Sequence, residues 1–96
     1  LLGGHGNISV TANVAPRKMS QMCEAALSGD AEKALVIDRQ LLPVHDAMFV
    51  ESNPIPVKWA VSQQGMISDA IRLPLTQLSA SNQVKVLQAL KAADLL

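Results

Sequence analysis

The run from Gly3 to Pro16, Gly-Gly-His-Gly-Asn-Ile-Ser-Val-Thr-Ala-Asn-Val-Ala-Pro, dictates more about the fold than any other stretch. Ile8, Val10 and Thr11 are β-branched, glycines punctuate the approach, and Pro16 has the fixed φ of a first helical residue. The segment therefore reads as glycine turn, short buried strand, polar exit and helix start. A strand needs partners for its backbone N–H and C=O groups, and no second strand is readable in the remaining sequence. The expectation is a β-segment whose sheet belongs to residues outside these 96.

Everything after Pro16 patterns as helix. Leu1-Leu2 read as the tail of a preceding helix, with Gly3 and Gly4 free to turn left-handed. From Pro16 to Ser28, Met19, Met22, Cys23, Ala26 and Leu27 fall on one stripe, and Gly29 is a natural stop. Asp30 is a good N-cap, with Glu32 in the first turn complementing the helix dipole. The stripe Ala34, Ile37, Leu41, Val44 and Met48 continues on both sides of Pro43, which predicts one kinked helix to about Val50, or two helices broken at the proline.

Glu51-Ser52-Asn53-Pro54-Ile55-Pro56 must be a rigid entry turn, because a residue before proline is driven out of helical geometry. A third helix is predicted from about Pro56 to Gln64, burying some of Val57, Trp59, Ala60 and Val61, with Gly65 closing it. Residues 66–78 contain Pro74 and hold no period, so they read as an extended crossing pinned by Ile71, Leu73 and Leu75. Ser79 is the predicted cap of a fourth helix, with Val84, Leu87 and Leu90 on one side and Val86 and Ala93 on another.

Charge excludes some functions. Eight basic and eight acidic residues balance, and the basic ones are scattered, which argues against nucleic acid and anionic membranes. No apolar run approaches the eighteen or so residues that span a bilayer, and no export signal is visible. A lone Cys23 fits a reducing compartment, so a cytoplasmic location is expected. Phe49 and Trp59 are the only aromatic residues, leaving Leu, Val, Ile, Met and Ala to build the core.

Few residues here carry chemistry on their own. The Gly3–Gly6 cluster lacks a Gly-Lys-Ser/Thr ending, so its glycines read as turn residues, not as a phosphate loop. His5, Cys23 and His45 match no zinc spacing, and no metal or cofactor is expected. Cys23 reads as a packed thiol. Lys58, beside Trp59, could form an imine if desolvated, but it falls on a helix and reads as a structural or interface lysine whose stem packs while its ammonium stays wet. Thr11 and Asn13 lie at the strand's exit, where Asn just before a helix commonly accepts backbone bonds.

The Gly3–Arg17 run resembles the last barrel strand and following loop of the dihydrodipicolinate synthase family, Schiff-base aldolases of lysine biosynthesis. Two further blocks agree in order: Leu42-Pro43 with Phe49-Val50-Glu51-Ser52-Asn53-Pro54-Ile55-Pro56-Val57-Lys58-Trp59-Ala60, and Arg72-Leu73-Pro74-Leu75-Thr76. Three sequence departures accompany it. Asn7 stands where the family usually has an apolar residue, Gln77 replaces a usual proline, and Asp94 replaces a glycine expected to be left-handed.

The resemblance implies a mainly α fragment of a (β/α)8 TIM barrel: residues 1–29 as the last β/α unit, residues 30–96 as a C-terminal helical domain. A whole barrel takes about 250 residues. It further implies a homotetrameric lyase of diaminopimelate and lysine biosynthesis that condenses pyruvate with aspartate semialdehyde on an active-site lysine. That lysine belongs to an earlier strand and the family's relay tyrosines are missing, so no catalytic residue is expected here and the fragment alone should be inactive. Ile8 is the one substrate-binding residue carried over, as an apolar wall beside the pyruvate-derived imine, although barrel core alone would also explain it. A related class I aldolase such as N-acetylneuraminate lyase, or a non-catalytic helical oligomerisation module, are the alternatives.

Overall fold

The computed structural model describes residues 1–96, and it is helical with no strand. A 3-10 turn, Thr11–Asn13, leads into α1 (Pro16–Leu27), α2 (Ala31–Ala47), α3 (Ile55–Gln63) and α4 (Ala80–Ala92). One cluster of buried side chains joins all of them, from Val14 and Met19 through Leu41, Val44 and Met48 to Val57, Val86 and Leu90.

The predicted strand is not formed. Residues 1–8 take part in no hydrogen bond of the chain, and the first backbone bond is Ala12 N–H to Ser9 O at 3.2 Å. The reason is the one its composition implies: a ladder needs a second strand, and these 96 residues offer only helices. Leu1 and Leu2 are likewise irregular and exposed, not helical.

Most helix boundaries follow local chemistry. Pro16 opens α1, and Gly29, at φ +83°, ends the connection that follows it. Asp30 caps α2, its Oδ1 accepting from Lys33 N–H at 3.1 Å. Pro43 lies inside α2, which remains a single helix and stops at Ala47, three residues short of the predicted end. All five residues of its predicted stripe, Ala34 to Met48, are buried.

Two stripes come out differently. On α1, Met19 and Ala25 are buried, while Met22, Cys23 and Ala26 are half-buried and Leu27 is exposed. The helix turns its edge to α2 and leaves the rest of its apolar face toward the N-terminal arm. On α4, Val86, Ala89, Leu90 and Ala93 face the core, whereas Val84 is exposed and Leu87 only half-buried. Spacings i, i+3, i+4 and i+7 fit this set, and its alanines permit close helix approach. The crossing segment is pinned by Ile71, Leu75 and the buried Leu78, but Leu73 is 85 % exposed.

The α4 N-terminus is capped from outside. The Ser79 hydroxyl accepts no backbone N–H of its own helix. Instead Glu51 Oε2 accepts from Ser79 N–H at 3.1 Å, Ser79 Oγ at 2.7 Å and Asn82 Nδ2 at 2.7 Å. The bond from Asn82, followed by those from Ser79, holds the Glu51 carboxyl below the usual glutamate range. A lowered native value means that this stabilisation is present above the unfolded value, about 4.3, and is lost as pH falls through the native one. Glu51→Gln should therefore melt below the wild type at pH 7, and the gap should close as the pH drops under about 4 in thermal scans.

The α4 C-terminus ends in a Schellman turn, with Leu95 N–H bonded to Leu90 O at 2.8 Å and Asp94 at φ +58°. Lys18 Nζ donates to Ala93 O and places a cation at that helix end. Asp94 occupies the left-handed site anticipated from the sequence, where a Cβ is disfavoured and a carboxylate opposes the dipole. Asp94→Gly is expected to stabilise the chain by about 0.5–1 kcal/mol, read by urea denaturation.

Candidate functional site

The candidate site is the arm of residues 1–10 and the turn that anchors it. Ile8 points fully into solvent, at 107 % of its reference area. Its neighbours change character within three residues: Thr11 is 1 % exposed, and Val14 and Ala15 are buried. An extended arm thus meets a packed body at the 3-10 turn.

Several bonds fix the anchor. Thr11 O accepts from Val14 N–H at 3.0 Å and Ala15 N–H at 2.9 Å, closing the turn. Asn13 Nδ2 donates to Val10 O at 3.0 Å, so this asparagine donates where an acceptor was expected. Gln64 Nε2 donates to Val14 O at 2.8 Å and lies 3.5 Å from Leu95 O, tying the turn to α3 and to the C-terminal segment. Gln64 Oε1 is buried without a partner.

Thr11 Oγ1 lies 2.6 Å from His45 Nδ1, across 34 positions of sequence. No other acceptor serves this buried hydroxyl. If Nδ1 carried the ring hydrogen, the hydroxyl hydrogen would be stranded at about 1–3 kcal/mol. We therefore assign Thr11 as the donor to Nδ1, which places a ring hydrogen on Nε2. The sequence shows of His45 only that its spacing from His5 and Cys23 suits no zinc site; a partner so distant leaves no local signal.

An open groove of about 530 Å³ runs between the arm and the α1–α2 pair, lined by His5, Asn7, Met22, Cys23, Leu27 and Asp38 among others. A second depression, about 390 Å³, lies beside the turn, with Asn13, Asn53 and Lys58 on its wall. Lys58 is half-buried on α3, while Ile8 lines neither hollow. The structure thus keeps Ile8, the one site residue expected from the sequence, on the arm, apart from Lys58 on the helical body. No His, Cys, Asp and Glu side chains converge in a group of three that could hold a metal, and no helix is long and apolar enough to cross a membrane.

Comparison with known proteins gives these features a context. Residues 1–93 match the model of the dihydrodipicolinate synthetase family. The chain is 62 % identical over 95 residues to the 4-hydroxy-tetrahydrodipicolinate synthase of Cellvibrio japonicus (strain Ueda107), covering 99 % of this chain and 33 % of that protein. Against the synthase of Stutzerimonas stutzeri (strain A1501) the identity is 56 % over 96 residues, covering 100 % of this chain and 33 % of that protein. Among solved structures, the chloride-inhibited dihydrodipicolinate synthase of Acinetobacter baumannii complexed with pyruvate superposes with a TM-score of 0.95 at 45 % identity, over 99 % of this chain and 33 % of that one. The Thermotoga maritima enzyme gives 0.93 at 44 % identity, over 98 % and 32 %. The chain thus spans about a third of the length of the relatives it matches. With nearly every residue matched and the helical body superposing, this chain belongs to the dihydrodipicolinate synthetase family.

Proposed function

We propose that this chain is the C-terminal part of a 4-hydroxy-tetrahydrodipicolinate synthase, a cytoplasmic homo-oligomer, homotetrameric in its usual form, that condenses pyruvate with aspartate semialdehyde on the lysine pathway. Residues 1–29 are its last β/α unit and residues 30–96 its helical C-terminal domain. The observation that carries this reading is the arm: eight residues without a hydrogen bond, leading through the β-branched Ile8 into a helical body that superposes on synthases. In the whole protein the arm becomes the strand that closes the barrel, where its backbone groups find partners.

Within that barrel Ile8 serves as an apolar wall. A wall of this kind keeps water from the imine that pyruvate forms with lysine, so the adduct is not hydrolysed before the second substrate adds. The five lysines of this chain, Lys18, Lys33, Lys58, Lys85 and Lys91, ride on helices, and the imine-forming lysine lies in an earlier strand. The chain by itself performs no condensation.

Borohydride trapping tests this. The full-length protein incubated with pyruvate and reductant should carry one reduced pyruvyl adduct, mapped by mass spectrometry to a lysine outside these residues, and should form condensation product. The 96-residue chain should stay unmodified. An adduct on Lys58, or turnover by the chain alone, would overturn the proposal.

A further inference from the structure

We infer that His45 is a positioning residue: through the Thr11 hydroxyl it sets the direction in which the arm carrying Ile8 leaves the helical body. The inference rests on the reading of Ile8 as a substrate-facing wall. Nothing upstream of Ser9 is fixed by hydrogen bonds, so the arm inherits its direction from the first residues that are. Thr11 is the first side chain buried in the body, and its hydroxyl has a single partner, His45 Nδ1 at 2.6 Å.

His45 is a firm support. It stands in the last turn of α2, flanked by Leu41, Val44 and Met48, each with no exposed surface. Gln64 provides a second fixed point three residues along, at Val14 O. With both in place the turn is tied to the helices by side-chain bonds at two points. Without His45 the one side-chain bond left between the turn and the helices is Gln64's, at Val14 O, and the Thr11 end loses its directional tether.

The lever is short and sensitive. Ile8 is three residues from Thr11, at most about 10 Å of extended chain, so a tilt of about 6° moves it by about 1 Å. A displacement of that size at a reacting centre lowers turnover by as much as ~10²-fold. The expected signature is a fall in kcat with pyruvate KM little changed, because the wall shapes the adduct's surroundings more than capture of the free acid.

The test has two arms. In the 96-residue chain, nitrogen-15 NMR should show His45 Nδ1 as an acceptor with the hydrogen on Nε2, and Thr11→Val should accelerate exchange of the Val14 and Ala15 amides. In the full-length protein, Thr11→Val and His45→Leu should each lower kcat about 10-fold with pyruvate KM within about 3-fold, while the double variant falls no further than the worse single one. Thr11→Ser, which keeps the hydroxyl, should recover most of the loss seen with Thr11→Val. Should His45→Leu fail to fold, the near-isosteric Thr11→Val and its serine counterpart decide the matter. Losses that multiply in the double variant, a serine variant no better than valine, or Thr11→Val with unchanged kcat would overturn the inference. A wild-type protein without condensation activity would instead refute the proposed function, leaving the exchange arm to judge the Thr11–His45 pin.

Discussion

Leu41→Ala is expected to lower the unfolding free energy by about 2–5 kcal/mol, a large part of the ~5–15 kcal/mol that holds a domain of this size together. Leu41 has no exposed surface, and it sits in the middle of α2 within the cluster that joins every helix. Removing its branched end withdraws that apolar surface from the core and leaves a void that rigid neighbours fill only in part. Its sequence neighbour supplies the control. Leu42 is 51 % exposed, and Leu42→Ala should change stability by less than about 0.5 kcal/mol. Urea denaturation of the two variants separates them, and equal losses would place the core on the wrong face of α2.

Ile8→Asp carries the second large effect, and it is two-sided. In the 96-residue chain Ile8 touches only solvent, so the variant should keep wild-type stability within about 0.5 kcal/mol. On the proposed role of Ile8, the same change in the full-length protein would put a carboxylate into the wall beside the imine, where desolvation disfavours charge. The kcat/KM for pyruvate should fall on the order of 10²-fold, equivalent to about 2.7 kcal/mol of transition-state stabilisation. Normal turnover by Ile8→Asp would remove Ile8 from the substrate site.

The sequence was most legible where one residue decides one local geometry. Pro16 opens α1, Asp30 caps α2, Gly65 at φ +78° follows α3, and Asp94 takes the left-handed position that a glycine would suit better. The stripe Ala34–Met48 was equally readable, since bulky residues on one period leave a single buried face.

What stayed hidden depends on partners distant in sequence. Ser79 was readable as a cap, but not its donation to Glu51, 28 positions earlier, a charged acceptor that takes its hydroxyl hydrogen. The α4 register was misjudged because Val84 and Leu87 weigh more in a pattern than Ala89 and Ala93, yet small residues bring helices together. The Thr11–His45 bond spans two elements and leaves no trace in either. The arm itself was readable as a β-former, though not as a coil: strand propensity is a fit to a neighbouring strand, and none lies within these residues.

Amide hydrogen exchange across Gly4 to Ile8 tests the central claim most directly, because protection there requires a partner strand. In the 96-residue chain these amides should exchange at close to intrinsic rates, and in the full-length protein they should slow by at least about 10²-fold as the barrel closes around them. Equal protection in both proteins, or none in either, would contradict the account.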